Sequence, residues 1–193
     1  MFEQANTPRI LVIRRDNIGD LVCTTPVFHA LRIKFPQAHI CALVNSYNLP
    51  VLENNANIDL AFAYTKAKHR PPEKSLMGVY IDRLRLMYKL RRMRFDYVIL
   101  AGPGLQARSL IFARALSPKQ IIGFTDASKP QSRFIDLGIP YHPVPASIHE
   151  VEDTFRLLGV LGIEPPPPPL CVTPSAPAVN TIQQHIAAQT ESA

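Results

Sequence analysis

Apolar and polar positions alternate along the chain in blocks. Ile10, Leu11, Val12 and Ile13 form an unbroken apolar run between Pro8 and the polar stretch 14–20. A short run without polar breaks suits a strand buried on both faces, as in a parallel sheet. Similar strands are expected over 39–44, 58–64, 96–101 and 120–124. Between them lie helical stretches: a first to about Phe35, a short one over 46–54, a long one over 76–94 and one over 105–116. In the long helix, Tyr80, Leu84, Met87 and Tyr88 make an apolar flank expected to pack on the sheet. Ser147 and Glu150 have capping-box spacing and open a last helix, ended by Gly162.

The first helix contains Pro26. Either Thr25 caps a helix that starts at Pro26, or one helix starts near Asp20 and kinks at Pro26. The sequence leaves both open.

Strands alternating with helices imply an α/β class: a doubly wound, Rossmann-like parallel sheet with right-handed crossovers. With strand order 3-2-1-4-5, the switch point lies between strands 1 and 4, where ligands bind outside the carboxyl ends. That places the loop 14–20 beside Gly102 and Gly104 before any motif is considered.

Composition narrows the class. The chain has 193 residues, 47% hydrophobic and 19% charged, enough to bury a core. No apolar run has the roughly 20 residues needed to span a bilayer, and 1–9 carry no apolar leader stretch. A cytoplasmic protein is expected, with the inner face of the cytoplasmic membrane as a surface it can rest on. Three separated cysteines exclude a disulfide scaffold, and no histidine or cysteine spacing suggests a metal, so none is expected. Five prolines run over 165–169, and a stiff strut there ends the packed domain. The expected division is a domain at 1–164 and a linker with a short helix at 165–193.

The net charge is +6, and all of it traces to residues 83–94, where six of twelve are basic and none acidic. Arg85, Lys89 and Arg92 fall at i, i+4 and i+7 and form a stripe. A solvated face, an anionic glycolipid, an anionic membrane surface and nucleic acid are the readings this stripe allows.

Asp20 sits next to Gly19 at a strand-to-helix turn. It reads as a capping carboxylate or as a general base at the cleft, and the two do not exclude each other. Arg14, Arg15 and Asn17 share its loop; the two arginines face an anionic ligand or solvent. Neither a G-x-G-x-x-G nor a P-loop spacing is present, so strand 1 carries no dinucleotide signal and no cofactor is expected. His149 and Glu150 read first as parts of a helix start.

The opening I-L-V-I-R-R-D-N-I-G-D-L-V-C-T-T-P-V-F-H-A-L-R-I-K-F-P-Q-A-H-I resembles that of the family 9 glycosyltransferases, the ADP-heptose–lipopolysaccharide heptosyltransferases. Phe95 to Ile99, Arg108-Ser109 to Phe124, and His149 to Gly162 resemble later segments in the same order. The resemblance spans about residues 9–170. It implies a GT-B enzyme whose N-terminal Rossmann-like domain binds an anionic lipopolysaccharide inner-core acceptor for inverting, metal-free transfer. Asp20 would be the catalytic base. Arg14, Arg15, Asn17, Gly19, Gly102, Gly104, Arg85, Lys89 and Arg92 would serve the acceptor. The sequence Leu100-Ala101-Gly102-Pro103-Gly104 departs from the family's Asp-Leu-x-Gly. The nucleotide-sugar donor, ADP-heptose on this resemblance, would bind a C-terminal domain not contained in the 193 residues. The expectation is therefore a truncated product or half of a split enzyme, inactive alone and completed by a second polypeptide. The competing function is a non-catalytic module binding nucleic acid or an anionic membrane through the basic helix. The Gly19-Asp20 turn favours sugar transfer over nucleic acid, because a charge-driven binder does not need it.

Overall fold

The computed structural model describes residues 7–64, 75–142 and 149–190. Six strands form one sheet: β1 (Arg9–Arg14), β2 (His39–Asn45), β3 (Leu60–Tyr64), β4 (Tyr97–Leu100), β5 (Gln120–Thr125) and β6 (Leu137–Pro140). Their order is β3-β2-β1-β4-β5-β6, and every pairing is parallel. This is the expected doubly wound, Rossmann-like α/β fold with one strand added at the edge. Residues 137–140 carry only Leu137 and Ile139 as apolar residues, with Gly138 and Pro140 between and after them, which is too weak a pattern to read as a strand. It is the pairing with β5 that makes this segment a strand.

Successive residues of β1 point to opposite faces, as strand geometry requires. Ile10 and Val12 pack against Leu21, Phe28 and Leu31 of α1 (Ile18–Lys34), and against Phe155, Leu157 and Leu158. Leu11 and Ile13 join Leu90 of α2 (Leu76–Arg92), and Leu110 and Leu116 of α3 (Ala107–Leu116), on the other face. The helices therefore cover both faces, and β1, β2 and β4 are buried beyond their first residues.

Of the flank expected to meet the sheet, only Met87 packs inward. Val79, Leu86, Met87 and Leu90 point inward, while Tyr80, Leu84 and Tyr88 are exposed. The two apolar flanks lie on opposite sides of the helix, and the sequence pattern does not say which one meets the sheet.

Pro26 lies inside a single continuous α1. Its missing N–H leaves the Val22 carbonyl without its usual helical donor. The Thr25 hydroxyl donates to that carbonyl at 2.7 Å and accepts the Cys171 N–H at 3.0 Å. One buried hydroxyl thus repairs the helix and ties down the segment after the prolines.

Three aspartates pin the strand starts. Each immediately precedes a strand and accepts a backbone N–H from the neighbouring one: Asp59 from Ile40 at 2.6 Å, Asp96 from Arg9 at 2.8 Å and Asp136 from Ile121 at 2.7 Å. The Asp96 and Asp59 carboxyls are desolvated by burial, but these N–H donors, with Lys119 and Arg32 respectively, outweigh that and hold both below the ordinary carboxylate value.

His149 caps α4 (Glu150–Phe155), its Nδ1 accepting the Val151 N–H at 3.2 Å. Ser147 lies outside the described residues. The helix tightens to a 3-10 form over Arg156–Leu161 and ends at Gly162 in the left-handed conformation, φ 66°. Pro165, Pro166 and Pro167 then line a hollow of about 510 Å³ with Phe155 and Ile163, so the proline run begins against the packed body. The last helix, α5 (Ala176–Thr190), is longer than expected, and its Val179, Ile182 and Ile186 are exposed.

Candidate active site at the carboxyl end of β1

The switch point brings the carboxyl ends of β1 and β4 together: Ile13 pairs with Leu100, and the Ala101 N–H reaches the Ile13 carbonyl at 3.1 Å. Arg14 is the last residue of β1, and its side chain is 1% exposed. Its Nη1 donates to the Ala101 carbonyl and its Nη2 to Glu150 Oε1 at 2.8 Å. Nη2 also lies 3.5 Å from Asp20 Oδ1, and Nε 3.3 Å from Asp16 Oδ2. A buried charge is tolerated only when paired, and the planar guanidinium fork can serve several acceptors at once. Arg14 was expected to contact the acceptor. Its guanidinium is instead taken up inside the protein by three carboxylates and a carbonyl.

Asp20 occupies the third position of α1. Its Oδ2 accepts the Asn17 N–H at 2.8 Å, and its side chain is 31% exposed. The capping reading is therefore what the geometry displays, and the exposed third leaves the carboxylate reachable. Asn17 is exposed and provides this N–H. Gly19 is exposed too, and a Cβ built on it would meet nothing within 4 Å. The fold therefore does not require glycine there, and the space in front of it is open.

The loop before α1 is clamped from β2 and the following 3-10 turn, Ser46–Leu52. The Asp16 carbonyl accepts from Asn45 Nδ2 at 2.9 Å, Tyr47 Oη at 2.7 Å and Asn48 Nδ2 at 3.0 Å. Asn45 also donates to the Arg15 carbonyl at 2.6 Å. Both asparagines are fully buried. The sequence reading missed this clamp; polar residues directly after an apolar strand (Asn-Ser-Tyr-Asn, 45–48) were the available signal.

Arg15 lies over the Tyr64 ring, 4.6 Å from its centroid, and Arg83 lies over the same ring at 4.7 Å. Burial lowers the pKa of Arg15; Arg108 and Arg83 act in the same direction, against Tyr64 and Asp16. Its buried Nε has no hydrogen-bond partner among the described residues. Arg108 is exposed in the first turn of α3. Three guanidinium groups thus share one neighbourhood at the carboxyl end of the sheet. Arg83 had been counted only in the helix charge and Arg108 only as part of a motif, because their meeting with Arg15 depends on three separate elements.

Gly102 follows β4 and is buried, its N–H reaching the Leu100 carbonyl at 2.9 Å. Gly104 has φ +60° and lies against the Tyr141 ring. Arg85 pairs with Asp82 at 3.7 Å, and Lys89 Nζ lies over the Phe62 ring, 5.1 Å from its centroid. Arg92 lines a hollow with Thr7, Arg9 and His39 at the amino ends of β1 and β2. The six-residue β1 separates that end from Arg14 by roughly 16 Å. Cys23 lies near the cluster, but burial and then Glu150 raise its pKa, so it is not a reactive thiolate. Among the described residues no group of three metal-ligating side chains occurs.

No family model and no curated protein sequence matches the chain. Solved structures do. The glycosyl transferase family 9 protein from Veillonella parvula superposes with a TM-score of 0.71 at 20% identity, over 97% of this chain and 51% of that one. The fold is that of the family 9 glycosyltransferases. The E. coli heptosyltransferase WaaC with ADP-2-deoxy-2-fluoro heptose gives a TM-score of 0.63 at 20% identity, over 84% of this chain and 51% of that one. The E. coli ADP-heptose lps heptosyltransferase II gives 0.61 at 17%, over 87% and 47%. The chain spans about half the length of these structures. No helix among the described residues is long and apolar enough to cross a membrane.

Proposed function

We propose that the chain is the acceptor-binding part of an inverting glycosyltransferase acting on an anionic glycolipid. The observation that carries this reading is the Asp20 carboxylate. It stands at the switch point of a fold shared with family 9 glycosyltransferases, gripped on one side by the Asn17 N–H and Arg14, and one third open to solvent. Asp20 takes the proton from the attacking acceptor hydroxyl as the new glycosidic bond forms and the nucleoside diphosphate leaves. Arg14, lying 3.5 Å from Oδ1, helps to hold the carboxylate in place. Arg15, with Arg83 and Arg108 nearby, receives carboxylate or phosphate groups of the acceptor. The open space at Gly19 admits the sugar. By likeness to the E. coli heptosyltransferases the acceptor is a lipopolysaccharide inner core. The donor on the same likeness is ADP-heptose, bound by a second domain or polypeptide that also stabilises the leaving diphosphate.

The test is calorimetry with a deacylated inner-core oligosaccharide carrying carboxylates and phosphates, beside a neutral oligosaccharide of equal length. The anionic sugar should bind, the neutral one should not, and Arg15→Ala with Arg108→Ala should weaken binding at least about tenfold. Equal binding of both sugars, or an undiminished double variant, refutes the acceptor role. In a complete enzyme, Asp20→Asn should lower turnover by about 10²–10⁴ with little change in acceptor binding.

A further inference from the structure

Helix α2 carries two apolar flanks, and among the described residues only one packs against the rest of the protein. Val79, Leu86, Met87 and Leu90 face the sheet and its neighbours. Met77, Ile81, Leu84 and Tyr88, at i, i+4, i+7 and i+11, line the opposite side, with exposures of 73%, 42%, 70% and 64%. Tyr80 lies beside them at 57%. Arg85, Lys89 and Arg92 border this ridge on one side; on the other, Arg91 is tied to α3, its Nη1 donating to the Ala115 carbonyl at 2.6 Å. Asp82 is the only acid between Leu76 and Arg94.

We propose that this outer face of α2 docks the protein flat on an anionic phospholipid bilayer. The ridge enters the headgroup boundary, and the flanking cations meet lipid phosphates. Tyr80 and Tyr88 suit that depth, where an apolar ring and a polar tip are both accommodated.

Charge complementarity selects this occupant. A second copy of the chain on a two-fold axis would set the basic stripe against itself. Nucleic acid would satisfy the cations but leave four large apolar side chains without a use. An anionic bilayer supplies both halves of the surface. The inference does not depend on sugar transfer, and the soluble oligosaccharide assay above involves no membrane, so the two can fail separately.

The chain contains no tryptophan, so a single one reports on its own surroundings. Leu84→Trp is compared with Ile33→Trp, a site 65% exposed on α1 across the sheet. Each full-length variant is mixed with vesicles of phosphatidylcholine alone or with phosphatidylglycerol at about 3:1. With anionic vesicles the fluorescence of Leu84→Trp should shift to the blue and be quenched by brominated acyl chains, while that of Ile33→Trp stays unchanged. In flotation, Arg85→Ala with Lys89→Ala should lower the bound fraction roughly tenfold or more, as should Leu84→Ser with Tyr88→Ser. Circular dichroism checks that these exposed substitutions leave the fold intact. Absence of binding, equal binding to neutral vesicles, or equal shifts at both tryptophans overturns the proposal. So does self-association abolished by Leu84→Ser, which would make a second copy the occupant. Duplex DNA binding that survives Leu84→Ser with Tyr88→Ser, without vesicle binding, overturns it in favour of nucleic acid.

Discussion

Arg14 and Glu150 lie 136 residues apart in the chain, and their side chains meet at 2.8 Å. This contact ties the start of α4 to the end of β1, and the same guanidinium nitrogen lies 3.5 Å from Asp20. The candidate base is therefore held by a network whose parts come from three elements.

Removing Arg14 would leave Asp16, Asp20 and Glu150 clustered without their cation. Arg14→Met should destabilise the fold by about 3–5 kcal/mol, and Glu150→Gln, which keeps an acceptor oxygen, by about 1 kcal/mol. Urea unfolding of both variants and of the double variant checks this. Equal losses for the two single variants would mean that Asp16 and Asp20 are indifferent to the guanidinium.

Gly19 sits in the first turn of α1 with open space around its Cα. Gly19→Ala should therefore raise stability by about 0.5–1 kcal/mol through the lower entropy of the unfolded chain. If that space receives an acceptor, the same variant should weaken oligosaccharide binding. Thermal unfolding and calorimetry on one preparation measure the two opposed effects.

Asp96 and Asp59 have carboxyls held below their ordinary value, so their contribution to stability is full above about pH 4. It is lost as the pH falls through the lowered native values, because the unfolded state then binds protons first. Asp96→Asn with Asp59→Asn should lower stability at pH 7 and flatten its decline between about pH 4 and pH 2. Denaturant midpoints across that range test the sign.

Thr25→Val keeps the side-chain shape but removes the hydroxyl that serves Val22 and Cys171. A loss of about 1–3 kcal/mol is expected, with faster proteolysis after residue 170. Unchanged cleavage would show that other contacts hold the tail.

The parallel sheet was legible from the chain because each central strand is a continuous apolar run and each crossover a helical one. Their alternation admits few topologies. The switch point followed from that order alone, and with it the loop that carries Asp20. The long-range partners were not legible. Arg14 reads as a loop cation until Glu150 and Ala101 close around it, and Arg15, Arg83 and Arg108 belong to different elements. Helix α2 offers two apolar flanks of similar strength, and periodicity gives their angular spacing but no origin. Local pattern determined five of the six strands, their order and the position of the switch point. Which charges are buried, which arginines meet and which side of α2 stays open were decided by packing, because each depends on what a distant segment places opposite.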